Sequence, residues 1–514
     1  MMKKISRLTK VSLLLAVLFS LDKLLGVARQ MLVSRQFGLS AELDVFNAAN
    51  NLPDMLFMLI SGGALAIAFI PVLTEVLSKD GREKAWALFS NILNISFLVT
   101  AALALLIAIF ARPLVSGNLG IAPGFSSAQM ELTIKLLRLN LISTLIFSLS
   151  GLVMAGLQAN QHFFLPALAP IFYDFGQIFG VLILAPERPY QFGPITLPAL
   201  GLGIEGMVYG VILGALLHLL IQVPGLVKYR FRWQPRANLK DPETIKVLRL
   251  MGPRVLSMFF IQLIFLAQDN FASRLATGSV TALTYGWWIM QVPETLIGTA
   301  IATAVLPTLA ELFSQQAFAQ LKVKIERAGQ VMLALTIPIA IIGGVVIQPL
   351  IQALLGLEPA DTVRVVLVTR IFLLGISGHS LVELFVRSFY AMQKPKYPLI
   401  FSASTLLVYL GAGWLLSSRY DAAGIAAANT LAYSLQALVL FILLSKVLAE
   451  KLELLPAFVK AILAAALGGA AAWLVMRFAP IPGGRIVSAL AAALLALLPA
   501  GVVLRKELRA LTSL

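Results

Sequence analysis

The chain has no cysteine in 514 residues. That excludes disulfides, a thiol nucleophile and a thiolate metal site, and it leaves the redox compartment open. No GxxxxGK[ST] phosphate loop occurs, so ATP hydrolysis by this chain is not expected. Histidine is nearly absent: His162, His218 and His379 lie far apart, which favours local hydrogen-bonding roles over metal or proton work. With no acid-base or metal cluster in view, a transporter is expected rather than an enzyme, and no cofactor is called for. Charge is scarce as well, at 12% of residues against 59% hydrophobic, and no soluble domain of useful size can be marked out. Apolar runs of about 20 residues recur along nearly the whole length, which is the pattern of a polytopic membrane protein. The start, MMKKISRLTK followed by VSLLLAVLFSL, imitates a secretory signal. No small-residue cleavage site follows, and the run continues into LDKLLGVARQMLVSRQFG, so it reads as a first span.

The net charge of +16 would suggest nucleic acid in a soluble protein, but here the basic residues follow topology and no nucleic-acid partner is expected. Placing the N-terminus in the cytoplasm gives that side Lys3, Lys4, Arg7 and Lys10, then Lys79, Arg82 and Lys84. The same side receives the basic stretch from Lys228 to Arg249, Lys322, Lys324 and Arg327, and the tail with Arg505, Lys506 and Arg509. The opposite side keeps single residues such as Arg112, Arg188, Arg419 and Arg485. Both termini are therefore expected inside.

The stretch 41–77 is long and apolar, yet Asp44, Asn47, Asn51 and Asp54 fall at i, i+3, i+7 and i+10, and Ser61 continues their face. An ionisable side chain at membrane depth costs about 2.5 to 3.5 kcal/mol on insertion scales, so the stripe predicts a cavity or pathway. Pro53 and the pair Gly62 and Gly63 mark where this helix can bend. Used as a query, the stretch finds a second copy. Asn51-Leu52-Pro53-Asp54 matches Gln291-Val292-Pro293-Glu294, and Pro71-Val72-Leu73-Thr74-Glu75 matches Pro307-Thr308-Leu309-Ala310-Glu311. The stripe returns as Thr284, Trp287, Gln291 and Glu294. GLQANQHFFLP ending at Pro166 pairs with FYAMQKPKYP ending at Pro398, and GLGIEG near Gly203 with DAAGIAA near Gly424.

These matches predict an all-α polytopic fold of about fourteen transmembrane helices, with two six-helix lobes related by a pseudo-two-fold along the membrane normal, plus two C-terminal helices. The expected spans are 10–36, 41–77, 84–111, 127–157, 163–185 and 201–226, then 251–276, 280–314, 325–354, 361–391, 397–418 and 422–447, then 456–477 and 484–504. The expected organisation is an N-lobe over 1–227, a basic cytoplasmic connection over 228–250, a C-lobe over 251–448 and the last two helices over 449–514.

Asp22, Lys23 and Arg29 sit around Gly26 in the first span. They read either as a buried ion pair of Arg29 with Asp44 or Asp54, or as a cationic site for an anionic group, where the planar guanidinium matches phosphate oxygens. An alternating-access carrier can use both in turn. Arg370 and Glu383 are candidates for a mobile gate pair, with local structural pairing as the competing fate, in a span that also carries Arg364, His379 and Arg387. Asp174 and Asp269 are single acids in apolar spans, each either a proton or cation binder or capped by neighbours such as Gln177 or Asn270. Trp287 and Trp288 face either a cavity or lipid.

The chain resembles the MurJ (MviN) lipid II flippases of the multidrug/oligosaccharidyl-lipid/polysaccharide exporter superfamily. The resemblance rests on LLGVARQMLVSRQFG with Leu43-Asp44, the LP and AFIPVLTE elements, LPALAPIF at Leu165 to Phe172, MGPRVLS at Met251 to Ser257 and FASRLATGSV at Phe271 to Val280, and it continues through AVLPTLAE at Ala304 to Glu311 and RSFYAMQKPKYP at Arg387 to Pro398. It implies a flippase carrying an undecaprenyl-pyrophosphate-linked peptidoglycan precursor from the inner to the outer leaflet of the bacterial cytoplasmic (inner) membrane, with the last two helices holding the polyprenyl tail. The implied partners are that lipid-linked glycan and membrane lipids, and a monomer is expected.

Residue by residue, Arg29 and Asp44 match the family's first-helix arginine and second-helix acid, and Lys23 stands for another basic position. Phe57 replaces a cavity arginine, Gly62-Gly63 replaces Glu-Gly, and Trp288 replaces the arginine of the eighth helix. Asp269 resembles an acid of a sodium site in some members, which makes it a candidate cation site; coupling to a monovalent cation or to the membrane potential is the corresponding expectation. The substrate-binding set is then Lys23, Arg29, Asp44, Asn47, Asn51, Asp54, Trp288 and Gln291, with Pro53, Gly62, Gly63, Arg370 and Glu383 as gate or hinge. Competing readings are a cation-coupled multidrug exporter, favoured by Asp44, Asp54 and Asp269, and a non-transporting membrane scaffold of the same fold.

Overall fold

Apolar runs bounded by Ser, Gly and Pro become helices in the computed structural model, which describes residues 7–62, 64–448, 451–478 and 484–510. The chain divides into two compact units, Met1–Leu266 and Ala267–Leu514, and the division falls inside one helix.

The first unit holds α1 (Arg7–Phe37), α2 (Ala41–Leu56), α3 (Ala64–Lys79), α4 (Arg82–Ile109), α5 (Ala111–Ser116), α6 (Ser127–Ala159), α7 (Phe164–Phe179), α8 (Gly203–Leu220), α9 (Val223–Lys228) and most of α10 (Pro242–Ala272). Local chemistry sets the boundaries. Ser40 caps α2 by accepting from the Leu43 N–H at 3.2 Å, and Ser126 with Gln129 forms a capping box on α6. Between α7 and α8 a two-stranded hairpin, β1 (Gln191–Phe192) and β2 (Ile195–Thr196), turns at Gly193, whose φ of +60° suits a residue without Cβ.

Helix α7 continues into a π-helical turn at Gly180–Leu184 and packs along α8 through facing glycines. A Cβ on Gly180 would lie 2.7 Å from Gly210 Cα, and one on Gly176 would collide with Gly214, so the backbones are in contact as small-residue membrane interfaces require. Helix α6 is packed by α2, α4 and α8, and α1 lies along α7.

The basic stretch after α9 is docked. Asn91 donates to the Asn238 carbonyl at 2.9 Å and accepts from its N–H at 2.6 Å, and Asn94 donates to the Gln234 and Arg236 carbonyls at 2.7 and 2.8 Å. Asp241 then caps α10, accepting from the Thr244 N–H and hydroxyl at 2.9 Å each.

The second unit holds α11 (Ser279–Glu294), α12 (Ala300–Ser314), α13 (Phe318–Leu355), α14 (Pro359–Ala391), α15 (Lys396–Val447), α16 (Leu455–Phe478), α17 (Arg485–Val503) and α18 (Arg505–Ala510). Small residues govern the end of the chain: Ala472 of α16 and Ala489, Ala492 and Ala496 of α17 are fully buried with Ile342 and Val346 of α13. Helix α15 is two helices joined without a loop. Tyr420 and Asp421 leave helical geometry, and Asp421 has φ +49°. Gly424 is required there, because a Cβ would strike the Leu416 carbonyl.

Among the described residues, eleven helices are long and apolar enough to cross a membrane, against the fourteen spans expected. One of the eleven is α15, which merges the spans expected at 397–418 and 422–447. Helix α1 and the α2 to α3 stretch, the first two expected spans, are not among the eleven. The repeat seen in sequence has a counterpart in the backbone. Helix α2 passes Pro53 and enters a π-helical turn at Phe57–Gly62 before α3, and α11 passes Pro293 and enters one at Thr295–Thr299 before α12. A proline removes a backbone donor and favours a bend, and in each copy a π turn follows the proline. Gly63 lies outside the described residues, as does the side chain of Ser61, whereas Gly62 ends the first π turn.

Candidate functional site

In the first unit the site is built on α1 and α7. Arg29 projects from α1 toward Asp174 and Gln177, which are three apart and share one face of α7. Its Nε lies 3.2 Å from Asp174 Oδ1, and a terminal nitrogen donates to Gln177 Oε1 at 2.7 Å. The Asp174 side chain is only 8% exposed and Arg29 28%, so the pair is largely withdrawn from water. Gly26, one turn before Arg29, faces the same carboxylate, and a Cβ there would make only an ordinary 3.9 Å contact with Asp174 Oδ2.

The ion pair expected for Arg29 with Asp44 or Asp54 is thus made with Asp174, because α1 packs along α7. Asp174 in turn pairs with the chain's own Arg29, which is neither of the fates expected for it, a bound proton or cation and a neighbouring amide cap. Lys23, 83% exposed, reaches Asp22 at 3.4 Å and leaves its ammonium largely open.

The stripe on α2 grades from inside to outside. Asp44 is buried, Asn47 and Asn51 are half-buried, and Asp54 is exposed. Asn50, outside the stripe as read from the sequence, accepts from Asn140 of α6 at 2.6 Å. Phe57 opens the π turn and packs 5.1 Å from Phe147, which contacts Tyr173 and His218 edge-on at 5.1 and 5.3 Å. Behind that cluster the His218 Nδ1 and Ser150 hydroxyl are 2.6 Å apart, and Gln222 donates to the same hydroxyl at 3.0 Å. Gln177 was expected as a cap for Asp174 and instead accepts from Arg29, and the Ser150–His218–Gln222 set has no signal in sequence spacing.

In the second unit Trp287 packs edge-on against Phe372 and His379 at 5.7 and 5.3 Å, while Trp288 is half-buried and Gln291 exposed. His379 stacks on Tyr433 at 3.9 Å and lies 3.0 Å from Asn429 Oδ1. Arg370 and Glu383 are not brought together. Arg370 donates through Nε to the Gly344 carbonyl at 2.7 Å, and Glu383 pairs with Arg387 one turn on, the local fate weighed against a gate. Asp269 is buried on α10 within electrostatic reach of Tyr409.

Groups outside the spans are shifted too, and burial raises Tyr190 in the turn between α7 and α8. Lys246, near the start of α10, is raised by its hydrogen bond to Glu75 at 2.6 Å. His162, in the turn from α6 to α7, is lowered by burial and then by Lys228.

Comparison with known proteins bears on what this arrangement handles. Residues 33–490 match the protein family described as lipid II flippase MurJ. The chain is 27% identical over 435 residues to the lipid II flippase MurJ of Burkholderia cenocepacia, covering 83% of this chain and 81% of that one. It is 27% identical over 477 residues to the probable lipid II flippase MurJ of Haemophilus influenzae, covering 88% and 90%. Among solved structures, a lipid II flippase MurJ in an inward closed conformation aligns with TM-score 0.76 at 20% identity over 96% of this chain and all of that one. An inward-facing multidrug resistance MATE transporter aligns with TM-score 0.67 at 14% identity over 83% and 94%. At those identities the structural likenesses speak for the fold alone.

Proposed function

The chain belongs to the lipid II flippase MurJ family, and from that premise we infer that it moves lipid II, a lipid-linked peptidoglycan precursor, across the bacterial inner membrane. The observation on its own residues that carries this reading is Arg29, held at the wall of the first unit by Asp174 and Gln177, with the Lys23 ammonium open on the same helix. A pyrophosphate offers several anionic oxygens. A guanidinium binds two of them in parallel, whereas an ammonium supplies point charge without geometry. Asp174 keeps Arg29 neutralised and oriented until an anionic headgroup competes for it. Exchange of one partner for the other is a step an alternating-access cycle can use, and that cycle, with export from inner to outer leaflet and both termini in the cytoplasm, is our proposal. The exposed leucines along α16 and α17, among them Leu463, Leu467, Leu494 and Leu498, are proposed to carry the polyprenyl chain.

The family match, and not the local charge, disfavours a drug exporter of the same fold, since Arg29 and Lys23 are each beside an acid. The test is translocation of lipid II by the purified chain in proteoliposomes. Wild type should expose inner-leaflet lipid II to an external probe. Arg29→Ala, checked by melting temperature for folding, should lose at least about tenfold in rate, and Arg29→Lys should fall between. Equal rates in wild type and a folded Arg29→Ala would leave only the scaffold reading or a different headgroup site.

A further inference from the structure

The second copy of the polar stripe ends on an acid that the transport reading does not use. Glu294 is the last residue of α11, directly before the π turn that Thr299 closes. One carboxylate oxygen, Oε2, lies 3.4 Å from the Thr299 hydroxyl. The other, Oε1, is buried with no hydrogen-bond partner, and so is the hydroxyl of Ser380 on α14, a residue with 0% exposure. The two unpartnered oxygens converge on one place. A Cβ on Gly298 would lie 2.5 Å from Glu294 Oε1 and 2.6 Å from Ser380 Oγ, so both oxygens border the same glycine and a side chain there would collide with them. The charged groups acting on Glu294 are Glu383 and Arg387 of α14, and these two are paired with each other. The charge of Glu294 is therefore the surplus one in this group, held among helices where an unbalanced carboxylate is costly.

Every atom offered is oxygen: carboxylate, serine hydroxyl and threonine hydroxyl. Such a donor set suits a hard cation and no soft metal. We propose that Glu294, Ser380 and Thr299 form a binding site for one monovalent cation, sodium or a proton, in the second unit. A single positive charge balances the surplus carboxylate and gives both orphaned oxygens a partner. The site sits at the junction of α11 with its π turn, so occupancy bears on the geometry of that break. A role in driving transport rests on the flippase reading above; binding does not.

The experiment is equilibrium melting of the purified full-length protein at constant ionic strength, in sodium chloride against choline chloride, at neutral and at mildly acidic pH. If sodium is the ion, wild type melts higher in sodium with a saturable dependence, Glu294→Gln shows no sodium increment, and Ser380→Ala needs about tenfold more sodium for the same increment. If the ion is a proton, sodium has no effect, and the infrared band of a protonated carboxyl appears in wild type and is missing in Glu294→Gln. Wild type and Glu294→Gln responding alike to sodium, with no difference in the carboxyl band, would overturn the proposal. Should Glu294→Gln fail to fold, Thr299→Val and Ser380→Ala carry the same comparison. A chain that binds the cation at this site and does not move lipid II would keep the site and remove the transport reading.

Discussion

Arg29 illustrates how far single residues can be read. Its charge at membrane depth predicted a partner, and the partner is Asp174 of α7 at 3.2 Å, not an acid of α2. Sequence spacing reports which residues share a face of one helix but not which helix that face meets. Phe57 makes the same point in the other direction. Where the family resemblance expects an arginine, an aromatic side chain packs at a tilt against Phe147, so the space is filled by ring contacts worth about 0.5–1.5 kcal/mol per pair beyond area burial. At this scale the clearest pH dependence belongs to His162. Burial and the nearby Lys228 lower it from its ordinary 6.5, so the unfolded chain takes up its proton first. The stability this gives is full above about 6.5 and is lost as pH falls through the lower folded value. The expected outcome is a melting temperature that drops between neutral and mildly acidic pH by more in wild type than in His162→Gln. Equal drops would show that the His162 environment contributes nothing.

At the scale of elements, α7 and α8 are joined by glycines rather than by charge. Gly176, Gly180, Gly210 and Gly214 bring two backbones into contact, and each would strike the opposite helix with a Cβ. Gly180→Val should therefore force the helices apart and destabilise the first unit by about 2–3 kcal/mol. The same change at Gly411, which meets nothing within 4 Å, should be neutral or slightly stabilising, because valine has the better helix propensity. Denaturant or thermal unfolding of both variants checks this, and similar losses at the two positions would contradict it. The α2 and α11 breaks are a second element-scale feature. Pro53 was visible in the sequence as a bend point and Pro293 as its match, whereas the π turns that follow them at Phe57–Gly62 and Thr295–Thr299 were not, since a register slip has no residue signature of its own.

For the whole molecule, the lack of cysteine makes topology directly measurable, because any single introduced thiol is the only one. Lys240→Cys, in the docked basic stretch, should react with an impermeant maleimide only after the membrane is opened, and Arg188→Cys, in the exposed turn after α7, should react in intact cells. The reverse labelling would invert the proposed orientation. Composition alone determined that this is a helical membrane protein, because long apolar runs with so few charges have no other stable solution in lipid or water. Self-comparison of the sequence determined the repeat, since Asn51 to Asp54 and Gln291 to Glu294 keep the same order and spacing. Tertiary structure decided what the charges do. It gave Arg29 to Asp174, Arg370 to the Gly344 carbonyl and Glu383 to Arg387, and it left Glu294 beside Ser380 with an oxygen unmatched. The physical reason is range: hydropathy and periodicity are properties of one helix and survive in one dimension, whereas an ion pair or a cation site forms only where two helices pack, and that contact is set by small residues far away in the chain.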